Sequence, residues 1–287
     1  MQPQALVEFL DEQRVTVMIW AVAALCMVSS FRAIAGNSLS TVRKVLFSGE
    51  VMPRAHLKSL LESLSNAEFV NLYGPTEITC NCLYCRVDRA RVDTAELPLG
   101  KAFGHCEVMV VDEAGHRIVE SGRKGELIVR GPSLALGYIG NREATEKAFV
   151  PNPLNSLYGE RVYRTGDNAM LTNEGDLVFC GRKDNQVKYQ GHRIELEEID
   201  KVFEGFSDVD RCRCAFDSKK NRLCVFYEGS ACEKELPKRA LSKLPVFMRP
   251  ASVAKVENMP LNKNGKVDRA MLLELHGEPT KRARAVR

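Results

Sequence analysis

The sequence predicts an α/β region, then a β-rich one, then a compact α+β one. Three observations lead there. Residues 1–65 alternate helical and strand periodicities. Between Leu97 and Phe179, short β-rich runs are separated by glycine turns. Past Gly181–Asp184 a second helix–strand pattern begins. These changes of texture set domain limits at residues 1–95, 96–183 and 184–287, with a small barrel or distorted sheet in the middle one.

In chain order, a polar helix over Gln4–Gln13 leads into the apolar run Val15–Val28. That run is about 14 residues, short of the ~20 that cross a bilayer. Glu8, Asp11 and Glu12 precede it, where a signal peptide would be basic, so it reads as a buried strand or helix. Val42–Phe47 is a strand ending in Ser48-Gly49-Glu50, and His56–Leu64 is a short amphipathic helix. Phe69–Leu72 is a strand ending at Tyr73-Gly74-Pro75. Glu107–Val111, Glu126–Val129 and Leu177–Cys180 are the β-rich runs, each beside a glycine turn. Beyond the boundary, Glu195–Phe203 is helical, with Leu196, Ile199, Val202 and Phe203 apolar. Cys212–Phe216 and Leu223–Tyr227 are strands, and Glu233–Lys243 is a helix that Pro245 stops.

The composition narrows the function. The 287 residues are 45% hydrophobic and 27% charged, an ordinary globular balance. The net charge of +4 is too mild for a nucleic-acid binder. Residues 185–287 hold 21 basic and 15 acidic side chains, a net of +6 against −2 for the rest; part of it is the tail Lys281-Arg282-Ala283-Arg284. Without an export signal or a membrane span the expected compartment is the reducing cytoplasm, where the ten cysteines are thiols. Cys80, Cys82 and Cys85 cluster, but with no second pair to complete a metal site they read as small apolar strand residues. Cys212 and Cys214, two apart, share a strand face.

Four segments carry chemistry. Asn71-Leu72-Tyr73-Gly74-Pro75-Thr76-Glu77 puts a hydroxyl and a carboxylate at the C-terminal edge of a strand, where open α/β sheets bind ligands. Such a pair can hold a phosphate and its Mg²⁺, with Tyr73 a flat ring for a base; a plain turn gives the same pattern. In Tyr163-Arg164-Thr165-Gly166-Asp167 the carboxylate follows a glycine turn and can accept from two ribose hydroxyls, or sit in a surface turn. Gly181-Arg182-Lys183-Asp184 brackets two unlike textures, the place for a hinge or a simple linker. Pro260 to Arg269 contains Asn264-Gly265, a tight turn presenting Lys266 as a mobile cation or a solvated one.

In this order and spacing the four resemble the adenylate-forming ligases, especially nonribosomal peptide synthetase adenylation domains and D-alanine–carrier protein ligases. Phe47-Ser48-Gly49-Glu50, Gly125-Glu126-Leu127 through Gly137-Tyr138, and Leu244-Pro245 through Met248-Arg249-Pro250 match further motifs, so the resemblance runs from about residue 15 to 275. It implies the C-terminal part of a large α/β domain, then a small mobile α+β domain hinged at Asp184. It places Glu50 and Tyr73 at an adenine, with Asn71 near its amino edge. Thr76 would meet the α-phosphate, Glu77 the Mg²⁺ and Asp167 the ribose. Arg182 would reach ribose or phosphate, with Phe179 and Cys180 lining the nucleotide. Gly49, Leu72, Gly74, Pro75 and Gly181 complete that site. Cys80 falls at the substrate pocket, and Lys266 would bridge the substrate carboxylate and the α-phosphate.

The implied reaction activates a carboxylate, that of an amino acid, with ATP and Mg²⁺, then passes it to a phosphopantetheine thiol of a carrier protein. Asn264-Gly265-Lys266-Val267-Asp268-Arg269 resembles the carrier-loading ligases more than the acyl-CoA ligases, the runner-up; a non-catalytic remnant binding nucleotide or a carrier protein is the other alternative. Family members extend further at the N-terminus, and Ser38–Thr41 lacks the glycines and lysine of their phosphate loop. The expectation is a truncated chain, doubtful in unaided activity, binding AMP about as well as ATP and meeting its carrier protein in trans. Asn168, Gln190 and His192 depart from the family pattern without removing a catalytic group.

Overall fold

In the computed structural model, residues 2–34, 38–93, 96–155, 157–262 and 266–276 are described. The chain divides into two compact units, Met1–Asp184 and Asn185–Arg287.

The first unit opens with α1 (Pro3–Glu12), β1 (Val17–Ala21) and α2 (Val22–Ser30). The apolar run is therefore both a strand and a helix. Val17, Ile19 and Trp20 favour the strand, whereas Ala23-Ala24-Leu25 favours the helix. Next come β2 (Lys44–Ser48), α3 (Arg54–Ser63), β3 (Glu68–Tyr73), β4 (Leu83–Arg86) and β5 (Lys101–Ala102). They form one sheet in the order β1-β2-β3-β4-β5, parallel through β3 and antiparallel beyond. One face, with Met18, Val45, Phe47 and Phe69, packs against Leu25 of α2 and Leu57 and Leu60 of α3. On the other face Val17 and Ile19 are 50% and 66% exposed, although parallel sheets are normally covered on both sides.

A 3-10 turn over Thr76–Ile78 follows β3, and Thr79 and Cys80 both take left-handed backbone, φ 60° and 84°. Cys80 and Cys82 thus lie in a turn; only Cys85 is on a strand, which corrects the strand reading of all three. Close packing dictates this: a Cβ on Gly74 would lie 2.5 Å from the Asn81 Cα and 2.7 Å from the Cys80 carbonyl oxygen. Among the described residues, no His, Cys, Asp or Glu side chains group as a metal site, and no helix is long and apolar enough to cross a membrane.

The second sheet comprises β6 (Glu107–Val111), β7 (Lys124–Arg130), β8 (Phe149–Pro151), β9 (Arg161–Leu171) and β10 (Leu177–Arg182), with α4 (Arg142–Ala148) before β8. It is antiparallel, in the open order β10-β9-β7-β6, with β8 beside β9. Its inner face and the first sheet share a core, in which Tyr73, Ile78 and Leu83 meet Leu127, Phe149 and Tyr163.

The second unit begins with the hairpin β11 (Gln186–Tyr189) and β12 (His192–Glu195), turned by Gln190 and Gly191, both at positive φ. Then follow α5 (Leu196–Glu204), β13 (Val209–Asp217), β14 (Arg222–Gly229), α6 (Leu236–Ala240), β15 (Ser252–Lys255) and α7 (Arg269–His276). β13 and β14 are antiparallel, β14 and β15 parallel. Cys212 and Cys214 bury on one face with Ile199 and Phe203 of α5. The helix expected over Glu233–Lys243 shrinks to Leu236–Ala240, because Pro237 fits only a first turn. Burial pushes Asp200 on α5 up to about 6 while Arg269 of α7 pulls it back, so the carboxylate is charged at neutral pH. Lys263-Asn264-Gly265 and the tail Lys281–Arg284 lie outside the described residues.

Two apolar clusters sandwich the β13–β15 sheet, one under α5 and one including Leu272 of α7. Residues 185–287 expressed alone should therefore unfold in a single transition, with circular dichroism and Tyr fluorescence coinciding. Non-coincident curves would show that this unit lacks a core of its own.

Candidate functional site

The C-terminal ends of the parallel neighbours β2 and β3 carry Gly49-Glu50 and Tyr73 to Glu77. Ligands bind at this edge of open α/β sheets. Asp167 of β9 joins them from the second sheet. It is only 3% exposed. The Tyr73 hydroxyl donates to its Oδ2 at 2.5 Å, and Arg182 Nη1 donates to its Oδ1. The same guanidinium forks onto Asp184, Nε to Oδ1 at 2.6 Å and Nη2 to Oδ2 at 2.8 Å. Burial and then the Asp167 charge push the Tyr73 phenol well up, which keeps it a donor. Burial opposes the charge on Arg182, and Asp184 and Asp167 more than offset it. The Tyr73 ring packs in the shared core and is 6% exposed. Phe179 on β10, half-buried, is the more open ring.

Asp167 lies inside a continuous strand, not in the surface turn that Thr165-Gly166-Asp167 suggests. Two buried groups account for this. Thr165 Oγ1 donates to the Leu127 carbonyl at 2.8 Å and accepts the Asp167 N–H at 3.0 Å. Glu126 of β7, itself buried, accepts the Gly166 N–H at 3.2 Å on Oε1. Its Oε2 accepts from Arg164 at 2.5 and 3.2 Å and from Lys183 at 3.1 Å. Gly166 is at φ 72°, and a Cβ there would lie 2.8 Å from Arg182 Nη2. Only glycine both takes this backbone and leaves room for that guanidinium.

A second carboxylate, Glu77, is buried beside exposed Thr76. The Tyr138 hydroxyl donates to its Oε1 at 2.6 Å. Burial and then Glu77 raise the Tyr138 pKa. The Ala135 N–H donates to the Glu77 carbonyl at 2.8 Å, and Thr79 Oγ1 donates to the Ser133 carbonyl at 2.8 Å. The loop 133–138 is thereby fastened to the turn after β3. Asn71 is buried and donates to the Pro98 carbonyl at 2.8 Å. Glu50 is near enough to Cys26 to add to the burial that pushes that thiol up to about 11. Leu72 is buried, Gly74 and Pro75 are half-buried, and Cys80 is exposed on its left-handed turn. Cys180 and Gly181 lie half-buried on β10 beside Phe179.

The structure thus gathers Glu50, Asn71 to Glu77, Asp167 and Arg182 in the first unit. Lys266 belongs to the second, where it is exposed on a short hairpin. Sequence reasoning assigned no role to Glu126, Arg164, Lys183 or Tyr138, whose ties to the site cross strands. Their only sequence signal was membership of the Gly125–Tyr138, Tyr163–Asp167 and Gly181–Asp184 segments.

Known proteins resemble this chain in sequence and in fold. The family model described as AMP-binding enzyme matches residues 1–139. Surfactin synthase subunit 1 of Bacillus subtilis is 38% identical over 82% of this chain and 7% of its own length. D-alanine--D-alanyl carrier protein ligase of Bacillus cytotoxicus is 33% identical over 92% of this chain and 54% of its own length. The crystal structure of IdnL1 superposes with a TM-score of 0.81 at 34% identity, covering 90% of this chain and 53% of that one. An NRPS protein containing adenylation and PCP domains gives 0.81 at 29% identity, covering 96% and 47%. The chain spans about half the length of the D-alanine ligase and of these solved chains, and under a tenth of the surfactin synthase subunit.

The buried Glu126 cluster carries a testable cost. Burial alone would raise the Glu126 pKa, but Arg164 and Lys183 outweigh it, and the net shift is downward. Its stabilisation is therefore complete above the unfolded-state pKa and lost as pH falls through the lower folded-state value. Glu126→Gln should destabilise the chain by ~2–3 kcal/mol at pH 7, the lower end for a broken buried pair because both cations are partly exposed. Urea unfolding at pH 7 and pH 3 measures it, and the gap to wild type should shrink in acid. A gap of equal size at both pH values would mean that the charge on Glu126 is not what holds the strand.

Proposed function

We infer that this chain belongs to the AMP-binding enzyme family, whose model matches residues 1–139, and that it serves ATP-dependent formation of an acyl-adenylate and transfer of the acyl group to a thiol. The observation that carries this reading is Asp167. It is a buried carboxylate inside β9, clamped by Tyr73 and Arg182, with acceptor capacity left for two vicinal hydroxyls. Beside it, Thr76 is exposed and Glu77 is oriented by Tyr138.

In the proposed reaction, an oxygen of the substrate carboxylate attacks the α-phosphorus of ATP, and pyrophosphate leaves. A thiolate then attacks the acyl carbon, and AMP leaves. Asp167 holds the ribose, Phe179 and Glu50 flank the base, and Thr76 meets the α-phosphate. A single carboxylate, Glu77, suits Mg²⁺, which takes one or two protein carboxylates plus phosphate oxygens. Bound there, the ion would neutralise phosphate charge. Lys266 supplies the mobile cation between substrate carboxylate and α-phosphate.

The similarity to a D-alanine--D-alanyl carrier protein ligase and to a protein with adenylation and PCP domains supports an amino acid as substrate. It also supports a carrier-borne phosphopantetheine as the thiol. Rotation of the second unit about Asp184 would present Lys266 for the first step and withdraw it for the second, a hinge mechanism. The division of the chain at that residue supports it.

Two measurements test the reading. Asp167→Ala should weaken AMP binding, measured calorimetrically, at least tenfold, or ~1.4 kcal/mol. Unchanged affinity would remove Asp167 from the nucleotide site. Lys266→Ala should slow amino-acid-dependent pyrophosphate exchange ~10²–10³-fold while nearly sparing thiol transfer from a pre-made adenylate. Equal damage to both half-reactions would rule out a lysine that moves away between them.

A further inference from the structure

Lys266 is exposed and has little of its own to hold it. Its hairpin rests on a Leu261–Val267 bridge, an Asn262 N–H donating to the Lys266 carbonyl at 2.7 Å, and the Lys266 N–H donating to Asn262 Oδ1 at 3.1 Å. What fixes the hairpin comes directly after it. The Asp268 N–H donates to the Pro260 carbonyl at 2.8 Å, and Asp268 Oδ1 caps α7 by accepting the Ala270 and Met271 N–H groups at 3.1 and 3.0 Å. Arg269, the first residue of α7, reaches α5 with one nitrogen. Its Nη2 donates to Asp200 Oδ2 at 2.7 Å and to Glu197 Oε1 at 3.1 Å.

The two acceptors differ in kind. Asp200 is buried, and its other oxygen accepts the Cys214 N–H from β13 at 2.5 Å. This is a permanent anchor, since breaking a buried pair leaves an uncompensated charge. The Glu197 side chain is 46% exposed, and a pair open to water to that degree is easily exchanged. The same Glu197 Oε1 also accepts from Asn185 Nδ2 at 2.6 Å. Asn185 is the first residue of the second unit, next in the chain to Asp184. One carboxylate oxygen is therefore shared between the point where the chain enters the unit and the cation behind Lys266. Among the described residues, Arg269 Nε is buried without a hydrogen-bond partner, so Nη2 carries the guanidinium's bonds to α5.

We propose that Glu197 is a positioning residue that couples the chain at Asn185 to the Lys266 hairpin through Arg269. A change of backbone at 184–185 pulls on Asn185, takes Glu197 from Arg269, and loosens the segment that carries the lysine, while Asp200 keeps α7 docked. This rests on the assignment of Lys266 to adenylate formation; the path itself lies wholly within the second unit.

Hydrogen exchange on the full chain, read by mass spectrometry, tests it in wild type, Glu197→Ala, Asn185→Ala, Asn185→Gln and Lys266→Ala. Exchange at the Asn262, Lys266 and Asp268 amides should rise about three- to tenfold in Glu197→Ala and about threefold in Asn185→Ala, the scale of one lost exposed polar contact. Asn185→Gln should restore part of it. The β13–β14 amides should keep wild-type rates. Among the described residues Asn185 has no hydrogen bond to the hairpin, so a merely structural role for Glu197 would leave the Asn185→Ala hairpin unmoved; that result overturns the coupling, as does equal acceleration in β13–β14. In pyrophosphate exchange, Glu197→Ala should lower kcat with KM for ATP unchanged. Should Lys266→Ala retain adenylate formation, the role of the lysine falls, and the exchange rates of the Asn185 variants still decide the coupling.

Discussion

The first unit is organised around one buried carboxylate. Glu126 reaches from β7 to the Gly166 N–H, to Arg164 and to Lys183, and these contacts set the path of β9 and the start of the chain after β10. Asp167 can be buried within β9 because its neighbours on both sides are fixed this way. Arg182 can span Asp167 and Asp184 because Gly166 keeps its surface clear. A carboxylate in this position costs desolvation, and only two cations and a backbone donor together offset it.

Much of the fold was legible in the chain. The strands ending at Ser48 and Tyr73 and the helix of residues 196–204 follow from apolar periodicity, which records burial directly. The Val15–Val28 run did not resolve, because a continuous apolar stretch hides the point where Ala21 turns extended backbone into helix. The helix around Pro237 was overread for the opposite reason: local propensity carried the expectation past a residue that only a first turn accepts.

The site was legible by motif and illegible by contact. Thr165-Gly166-Asp167 reads as a turn because its glycine does take left-handed backbone, yet the strand continues through it. Nothing near Asp167 in sequence announces Glu126, some forty residues earlier. Tyr73 is the sharper case. Its ring type suggested a flat surface for a base and said nothing of the hydroxyl bond to Asp167 or of the ring's place in the shared core.

The exposed flank of β1 has a consequence for handling the protein. Val17-Met18-Ile19-Trp20-Ala21 is uncharged, proline-free and rich in β-formers, and it lies at one end of its sheet. Such a segment is a template for cross-strand polymerisation. Arg14 precedes it in the chain as a gatekeeper, while Lys44 of the neighbouring β2 is paired with Glu68 at 3.1 Å. A gatekeeper charge protects by repulsion, which salt screens within ~8 Å at physiological ionic strength. The colloidal behaviour of this chain is thereby tied to ionic strength through a basic side chain that has no part in its proposed chemistry.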